Sequence, residues 1–250
     1  MKLYLSLIFS LLFSVTIVAE DNMRAANELF VAGKYDEAIA AYEAILSTGV
    51  ESAALYYNLG NAYFRVNDIA HAILNYERSL LLDPKNEDAK FNLELSRTRI
   101  VDRIDTIEVF FLRAWINALA NLMKSDSWAI WSVVTFILCI VALFGYVFGR
   151  YRIVKKITFF SACFLFLISL SSFFFAKAQK DRYMNREYAI VMDATVTVKS
   201  TPDESGTDLF LIHAGTKVNI RRVFENQEWF EIRLKDGNTG WVRATAIERI

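Results

Sequence analysis

Proline, cysteine and histidine are nearly missing from this chain, with two of each among 250 residues. A catalytic triad or metal site needs His, Cys or carboxylate clusters at workable spacing. Here His71 falls inside a helical repeat and His213 beside a β-turn. Cys139 and Cys163 both fall within apolar runs and read as small buried apolar side chains, so the polar regions have no disulfide. Counted from the basic loop between those runs, the two cysteines sit at different depths, which argues against a bridge. There is no Gly-rich phosphate loop, so nucleotide hydrolysis is not expected. The carboxylate pair Asp36-Glu37 reads as the solvated start of a helix. These scarcities point away from an enzyme and predict no catalytic residue, no metal ligand and no cofactor.

Net charge is also absent, but the formal zero hides a segregation. Residues 20–108 carry 16 acids and 9 bases, residues 109–187 carry 3 and 10, and residues 188–250 carry 9 and 8. Phosphate recognition needs clustered bases on a soluble face, so no nucleic-acid partner is expected. The bases that cluster best suit lipid headgroups instead.

Charge is missing altogether from Ser127 to Gly149 and from Ile157 to Ala176, which contain no Asp, Glu, Lys, Arg or His. A helix rises about 1.5 Å per residue, so about 20 residues cross a ~30 Å hydrocarbon core. Both stretches (127–149 and 157–176) are long enough to form transmembrane helices. The loop between them, 150–156, holds Arg150, Arg152, Lys155 and Lys156, which places it in the cytoplasm by the positive-inside rule. A hairpin returns the chain to the side it left, so the flanking domains share one compartment. Met1-Lys2 followed by the apolar run Leu3 to Ala19 reads as a secretory signal, residues 1–19. Ile17 stands where a small residue is usual, so the run also suits a retained anchor. The expected location is the inner (cytoplasmic) membrane, multi-pass, with N-terminal and C-terminal domains in the periplasm. Lys177, Lys180, Arg182 and Arg186, in the linker 177–187, oppose this orientation but are dispersed among Asp181 and Glu187. With no ionisable group in either span, a channel or transporter subunit is the weakest reading. Residues 106–126, including VFFLRAWINALANLM, predict an interfacial amphipathic helix with Trp115 at headgroup level.

Between 20 and 100 the sequence repeats itself at a spacing of 34. Gly33-Lys-Tyr-Asp-Glu-Ala-Ile39 is echoed by Asn67-Asp-Ile-Ala-His-Ala-Ile73, and Tyr42, Glu43 and Leu46 by Tyr76, Glu77 and Leu80. With Leu59-Gly60, Tyr63, Ala72, Tyr76 and Asp83-Pro84, the second copy resembles the tetratricopeptide repeat, a pair of antiparallel helices. Gly60 and Ala72 are small so that the paired helices can approach, Tyr63 and Tyr76 fill the space beside them, and Pro84 ends the second helix. A third copy begins at Glu87, keeps Leu93, has Glu94 where the small residue belongs, and then loses the pattern. Asn86 to about Asp105 therefore reads as one capping helix, giving a repeat domain over 20–105. Around three repeats are needed to bury a continuous core, so a neighbouring segment or a partner is expected to complete the stack. In this family the first helix of each repeat lines a peptide-binding groove. The register places Asn27, Phe30, Tyr57, Asn61, Phe64, Arg65 and Phe91 there, with aromatics as anchors and Asn side chains bonding the peptide backbone. Some of these aromatics suit a core equally well. The domain is acidic, and Asp88 and Asn92 stand where the basic clamp of some relatives would need Lys or Arg.

After Glu187 come short β-rich runs separated by turn residues. Residues 189–192, 195–198, 209–212, 217–223, 229–234 and 240–242 predict five or six strands, with Asp236-Gly237 as a hairpin turn. Phe230, Ile232 and Leu234 alternate onto one face. The string VKSTPDESGTDLF…AGTKVNI…EWFEIRLKDGNTGWV resembles a bacterial SH3 domain over 188–250. Trp229 and Trp241 either line a groove for short peptides or wall fragments or serve as packing.

Together these segments predict a multidomain membrane protein: an all-α tetratricopeptide solenoid, a two-helix transmembrane hairpin and a small all-β SH3-like barrel. That order, with the helix sequence Asp88-Ala-Lys-Phe-Asn-Leu-Glu-Leu95 and the turn Gly237-Asn-Thr-Gly-Trp241, resembles the tetratricopeptide member of the Bacteroides aerotolerance operon (BatE-like). The resemblance implies a scaffold or adaptor in an aerotolerance or stress-response complex. Its implied partners are membrane proteins with von Willebrand A domains and a MoxR-type ATPase system. A module that contacts peptidoglycan through the SH3-like domain is the alternative.

The topology is testable. Moving a charge across the bilayer centre costs at least ~2.5 kcal/mol on insertion scales, so cysteines introduced at Ser47 and Asn238 should react with an impermeant thiol reagent applied from the periplasm. One at Val154 should not. Labelling at Val154 with protection at Ser47 would invert the arrangement.

Overall fold

The computed structural model describes residues 21–102, 111–224 and 228–250. The expected signal, 1–19, and residues 106–110 of the expected interfacial helix lie outside the described residues. The chain forms two compact units, one joining the N-terminal helices and the C-terminal sheet, the other built, among the described residues, from 83–85 and 111–185.

The first unit begins with α1 (21–31), α2 (Tyr35–Ser47), α3 (Ala53–Arg65), α4 (Ile69–Leu82) and α5 (Glu87–Arg97). The period of 34 extends to individual hydrogen bonds. Ser52 caps α3 by accepting from the Leu55 amide at 3.1 Å, and Asn86 caps α5 by accepting from the Ala89 amide at 3.0 Å. The turn between helices carries Gly33 at φ 77° in one copy and Asn67 at φ 64° in the next. These are the two residue types that tolerate a left-handed helix terminus. The matching backbone bonds are Lys34 N–H to Leu29 C=O at 3.0 Å and Asp68 N–H to Tyr63 C=O at 2.9 Å. Tyr42 donates to Asn27 Oδ1 at 2.7 Å, as does Asn58 at 2.9 Å. One period later, Tyr76 donates to Asn61 Oδ1 at 2.7 Å and Asn92 at 2.8 Å. Burial pushes the Tyr42 phenol up to about 12, so it remains a protonated donor.

The helix α5 stops at Arg97 and does not run to Asp105 as the sequence pattern suggests. Val101 occupies the place of Gly33 and Asn67, and a β-branched residue resists the left-handed conformation needed there. The left-handed turn therefore is not made a third time among the described residues.

The C-terminal part holds β1 (Tyr188–Val191), β2 (Thr195–Lys199), β3 (Asp208–His213), β4 (Lys217–Val223), β5 (Trp229–Arg233), β6 (Thr239–Arg243) and β7 (Ile247–Arg249). They form one antiparallel sheet in the order β3-β2-β6-β5-β4-β1-β7. Seven strands exceed the five or six read from sequence because β7, of three residues, is too short to show alternation. Every strand supplies a side chain to a single core, including Val191, Val198, Ile212, Val218, Ile232, Val242 and Ile247. The sheet therefore curls around that core.

The second unit contains α6 (Phe111–Ala120), α7 (Ser125–Phe148) and α8 (Arg152–Asn185). Both long helices have the length and composition to cross a membrane. They overrun the uncharged stretches. Arg152, Lys155 and Lys156 of the expected loop lie in the first turns of α8, and the expected linker is helical to Asn185. No Pro or Gly stands in either flank of the second stretch to stop α8, whereas α7 ends at Gly149.

The α7–α8 seam repeats every seven residues. Ser125 donates to the Ala176 carbonyl at 3.0 Å, Ser132 and Ser169 donate to each other's carbonyls at 3.0 and 2.9 Å, and the Cys139 thiol lies 3.3 Å from the Ala162 carbonyl. Small residues at this spacing let the two backbones approach closely. Cys139 is thus level with Ala162, next to Cys163, which corrects the depth argument. Both thiols are free because Cys139 faces the seam and Cys163 is exposed.

A Cβ added at Gly60 would lie 2.8 Å from Tyr76 Cε1 and 3.3 Å from the Ala72 carbonyl. The hydrogen bond from Tyr76 to Asn61 prevents the ring from moving away. Gly60→Ala is expected to cost about 1–3 kcal/mol through overpacking, read as a lower thermal midpoint of the purified protein. An unchanged midpoint would show that the helices do not pack this closely.

Candidate functional site

Hydrogen bonds from Asn58 to Asn27 and from Asn92 to Asn61 set α1, α3 and α5 side by side. The seven residues assigned to a groove all fall on these three helices, but their roles divide. Asn27 and Asn61 spend their side-chain oxygens on internal tyrosine and asparagine partners, so bonding a peptide backbone through those oxygens is corrected to a helix-joining role. Tyr57 is half-buried, with its ring 6.1 Å from Tyr76, and Phe64 packs against the core beneath it. Phe30 meets the Tyr35 ring edge-on at 5.4 Å. Arg65 is exposed, and Phe91 leaves 70 % of its surface free. The domain is acidic overall, but this face also carries bases. Arg65 and Arg99 stand at equivalent places on this face, while several acids of the domain pair elsewhere.

One such acid is Glu77, on α4. In the first copy the equivalent Glu43 accepts from the Tyr63 phenol. In the second, Arg97 stands in the place of Tyr63 and reaches Glu77 at 2.6 Å, while Lys217 of β4 reaches it at 2.7 Å. Burial opposes ionisation of Glu77, but the two cations outweigh it and hold its carboxyl below the ordinary range.

The sheet is clamped to the helices at three further points. Arg78 donates to Glu248 at 2.9 Å and to the Arg249 carbonyl at 2.6 Å. Arg186 pairs with Glu51 at 3.1 Å. Asp102 receives the His213 amide at 2.7 Å and the Thr216 hydroxyl at 2.6 Å, with His213 Nδ1 2.7 Å away. Asp102 lies one period after Asp68, which holds the amide and Nδ1 of His71 in the same manner at 3.2 and 2.7 Å. The third copy therefore keeps its helix-capping aspartate and lends it to the β3–β4 turn. Between these polar contacts, Ile73, Tyr76 and Leu93 share a buried cluster with Ile190 and Ile250.

On the sheet, Trp229, Glu231, Trp241 and Arg243 share the face opposite Phe230, Ile232 and Val242, by the register of β5 and β6. Trp229 is buried, with the Arg243 guanidinium 5.6 Å from its ring centre. Trp241 is half-buried, with Phe224 edge-on at 6.1 Å. Among the described residues no three His, Cys, Asp or Glu side chains stand together as a metal site.

Sequence reading missed Glu77, Arg97, Arg99, Asp102, Lys217, His213 and Thr216. Extending the period past Leu93 would have found Arg99 and Asp102, since Arg65 and Asp68 precede them by 34. Nothing local marks Lys217, His213 or Thr216.

Residues 53–86 match the family model of the tetratricopeptide repeat, a span that runs from the first residue of α3 to the cap of α5. The chain carries a tetratricopeptide repeat, and tetratricopeptide repeats generally mediate protein–protein interaction. A comparison with curated proteins finds no match.

Acid should loosen the junction. Glu77 and Asp102 are both held below their ordinary values of 4.5 and 3.8. For Asp102, burial is outweighed by hydrogen bonds from Thr216 and His213. A depressed carboxyl pKa stabilises the fold above the unfolded value and loses that contribution as pH falls through the folded one. Stability should therefore decline below pH 4.5. Glu77→Gln should be less stable at pH 7 by roughly 2–3 kcal/mol, discounted from the fully buried case because both cations are partly exposed. It should also show a shallower acid limb in urea unfolding. An acid limb as steep as the wild type's would remove Glu77 as its source.

Proposed function

We propose that this protein is a non-enzymatic, membrane-anchored scaffold whose repeat helices dock a segment of another protein. The observation that carries this reading is Phe91, a large apolar side chain 70 % exposed on the face shared by α1, α3 and α5, which also carries half-buried Tyr57 and Phe30. Exposed aromatics on a rigid face are the usual anchors of protein interfaces.

The anchor is the α7–α8 hairpin, embedded in the inner membrane with its basic turn in the cytoplasm. Support comes from the exposed Phe, Leu, Ile and Val side chains along both helices and from the absence of ionisable groups within the two uncharged stretches. The helix α6 lies in the membrane interface. Its residues Phe111, Leu112, Trp115, Ile116 and Leu119 are exposed, while Ala120 and Asn117 are held by Gln179, Trp128 and Arg182. Repeats and sheet then stand together in the periplasm. The process served is that of the aerotolerance-type complex the chain resembles, with von Willebrand A-domain membrane proteins and a MoxR-type ATPase system as partners.

A second reading, peptidoglycan contact through an SH3-like sheet, is favoured by the half-exposed Trp241–Phe224 pair, since sugars stack on such rings. Detergent-solubilised protein that fails to sediment with purified sacculi at low salt would dispose of it.

For the docking role, Phe91→Ala is an exposed change expected to alter stability by no more than about 0.5 kcal/mol. It should lower the yield of proteins cross-linked to this chain in native membranes. An undiminished yield from a folded variant would remove this face from consideration.

A further inference from the structure

Arg65 and Arg99 occupy the same place in successive copies, at the end of α3 and just after α5, and both are exposed. The Arg65 guanidinium lies 5.9 Å from the centre of the Tyr35 ring, and that of Arg99 lies 4.3 Å from the centre of the Phe64 ring. Neither meets a carboxylate among the described residues, whereas Arg78, Arg97, Arg186, Arg222 and Arg243 all do. A guanidinium stacked on a ring keeps its N–H edge free and has lost part of its rotamer freedom before any ligand arrives. Among the described residues these two cations have no counter-ion, and they share the face that exposes Phe91.

We infer that this face takes an extended acidic polypeptide segment, with carboxylates on Arg65 and Arg99 and an apolar side chain against Phe91 and Tyr57. The inference rests on the docking role proposed above and names the partner's chemistry. Neighbouring helix axes lie about 8–10 Å apart and an extended chain advances about 3.3 Å per residue. The two carboxylates therefore come from residues about three apart, and the apolar residue lies about four residues outside that pair, because Tyr57 and Phe91 stand about 12 Å back along the helices from the arginines. A nucleic acid or other polyanion does not fit. The 16 acids and 9 bases of residues 20–108 repel a long anion, while two local arginines suffice for two carboxylates. Asp88, which the register also places on this face, sharpens the choice against further negative charge beyond that pair.

The test is fluorescence anisotropy with the full-length protein in detergent. The probe is a fluorescein-labelled dodecapeptide with two Glu residues three apart and a Leu four residues to either side of the pair, and the control peptide replaces every Glu by Lys. The acidic peptide should bind, less tightly as salt is raised, and the lysine peptide should not. Arg65→Gln/Arg99→Gln should weaken binding about tenfold, since each exposed charge-assisted pair contributes a few-fold. Arg65→Lys/Arg99→Lys should keep most of the salt dependence. Equal binding of both peptides, or an affinity unmoved by the Gln double variant, would overturn the acidic specificity and leave a docking face. Absence of peptide binding while cross-linking still depends on Phe91 would also overturn it. The docking role itself falls only if the Phe91 dependence is lost.

Discussion

Glu77 is a carboxylate that the repeat stack cannot leave unpartnered. It lies on α4 with only 9 % of its side chain exposed, and a buried charge is tolerated only when paired and hydrogen-bonded. In the preceding copy the requirement is mild, because Glu43 is exposed and a tyrosine hydroxyl satisfies it. At Glu77 the helices supply one cation, Arg97, and the sheet supplies the second, Lys217. The apolar cluster around Ile73, Ile190 and Ile250 gives the junction area, and the ion pairs fix which strand meets which helix. Two and a half repeats are stable here because the place where further repeat packing would follow is taken by a sheet.

Asp102 shows how the chain makes that substitution without losing the repeat's local chemistry. An aspartate at this point in the previous copy closes the first turn of α4 around His71. After Val101 the chain does not form the left-handed turn that would start another helix, yet the aspartate keeps its position and its type of partner. It captures an amide and an imidazole from the β3–β4 turn, and Gly215 lets the backbone of that turn lie against Ile73 and Ile100. A capping site has become a docking site, so the sheet is held by the same kind of hydrogen bonds that hold the helices.

Much of this was legible in the sequence, for identifiable reasons. The 34-residue period, Gly60, Pro84 and the strand alternation of Phe230, Ile232 and Leu234 report local geometry, which neighbouring residues encode. The uncharged runs report two long apolar helices. What could not be read was long-range pairing. Lys217 and Glu77 are 140 residues apart, and neither is unusual in its own segment. Asparagines in the groove were misread because Asn61 bonds Tyr76 and Asn92 on two other helices, so its exposure follows from packing and not from register. Helix ends were misplaced where charge was taken as a boundary, since Lys and Arg continue a helix as readily as Leu does.

The same long-range pairing decides what the exposed face can be. A solenoid this short, left open, would hold its first-helix face only loosely, and residues such as Phe91 would be as free to fill the missing core as to meet a partner. With the sheet docked at Glu77, Arg78 and Asp102, the buried cluster is already complete through Ile190 and Ile250. Phe91 then remains outside because nothing inside needs it. Among the described residues, Arg65 and Arg99 remain without a carboxylate for a related reason. Several described acids of the helices are engaged elsewhere, with Glu77 on Lys217, Glu94 on Arg97 and Asp68 on His71. An exposed aromatic and two cations without a described carboxylate on one face thus follow from how the rest of the unit has satisfied itself.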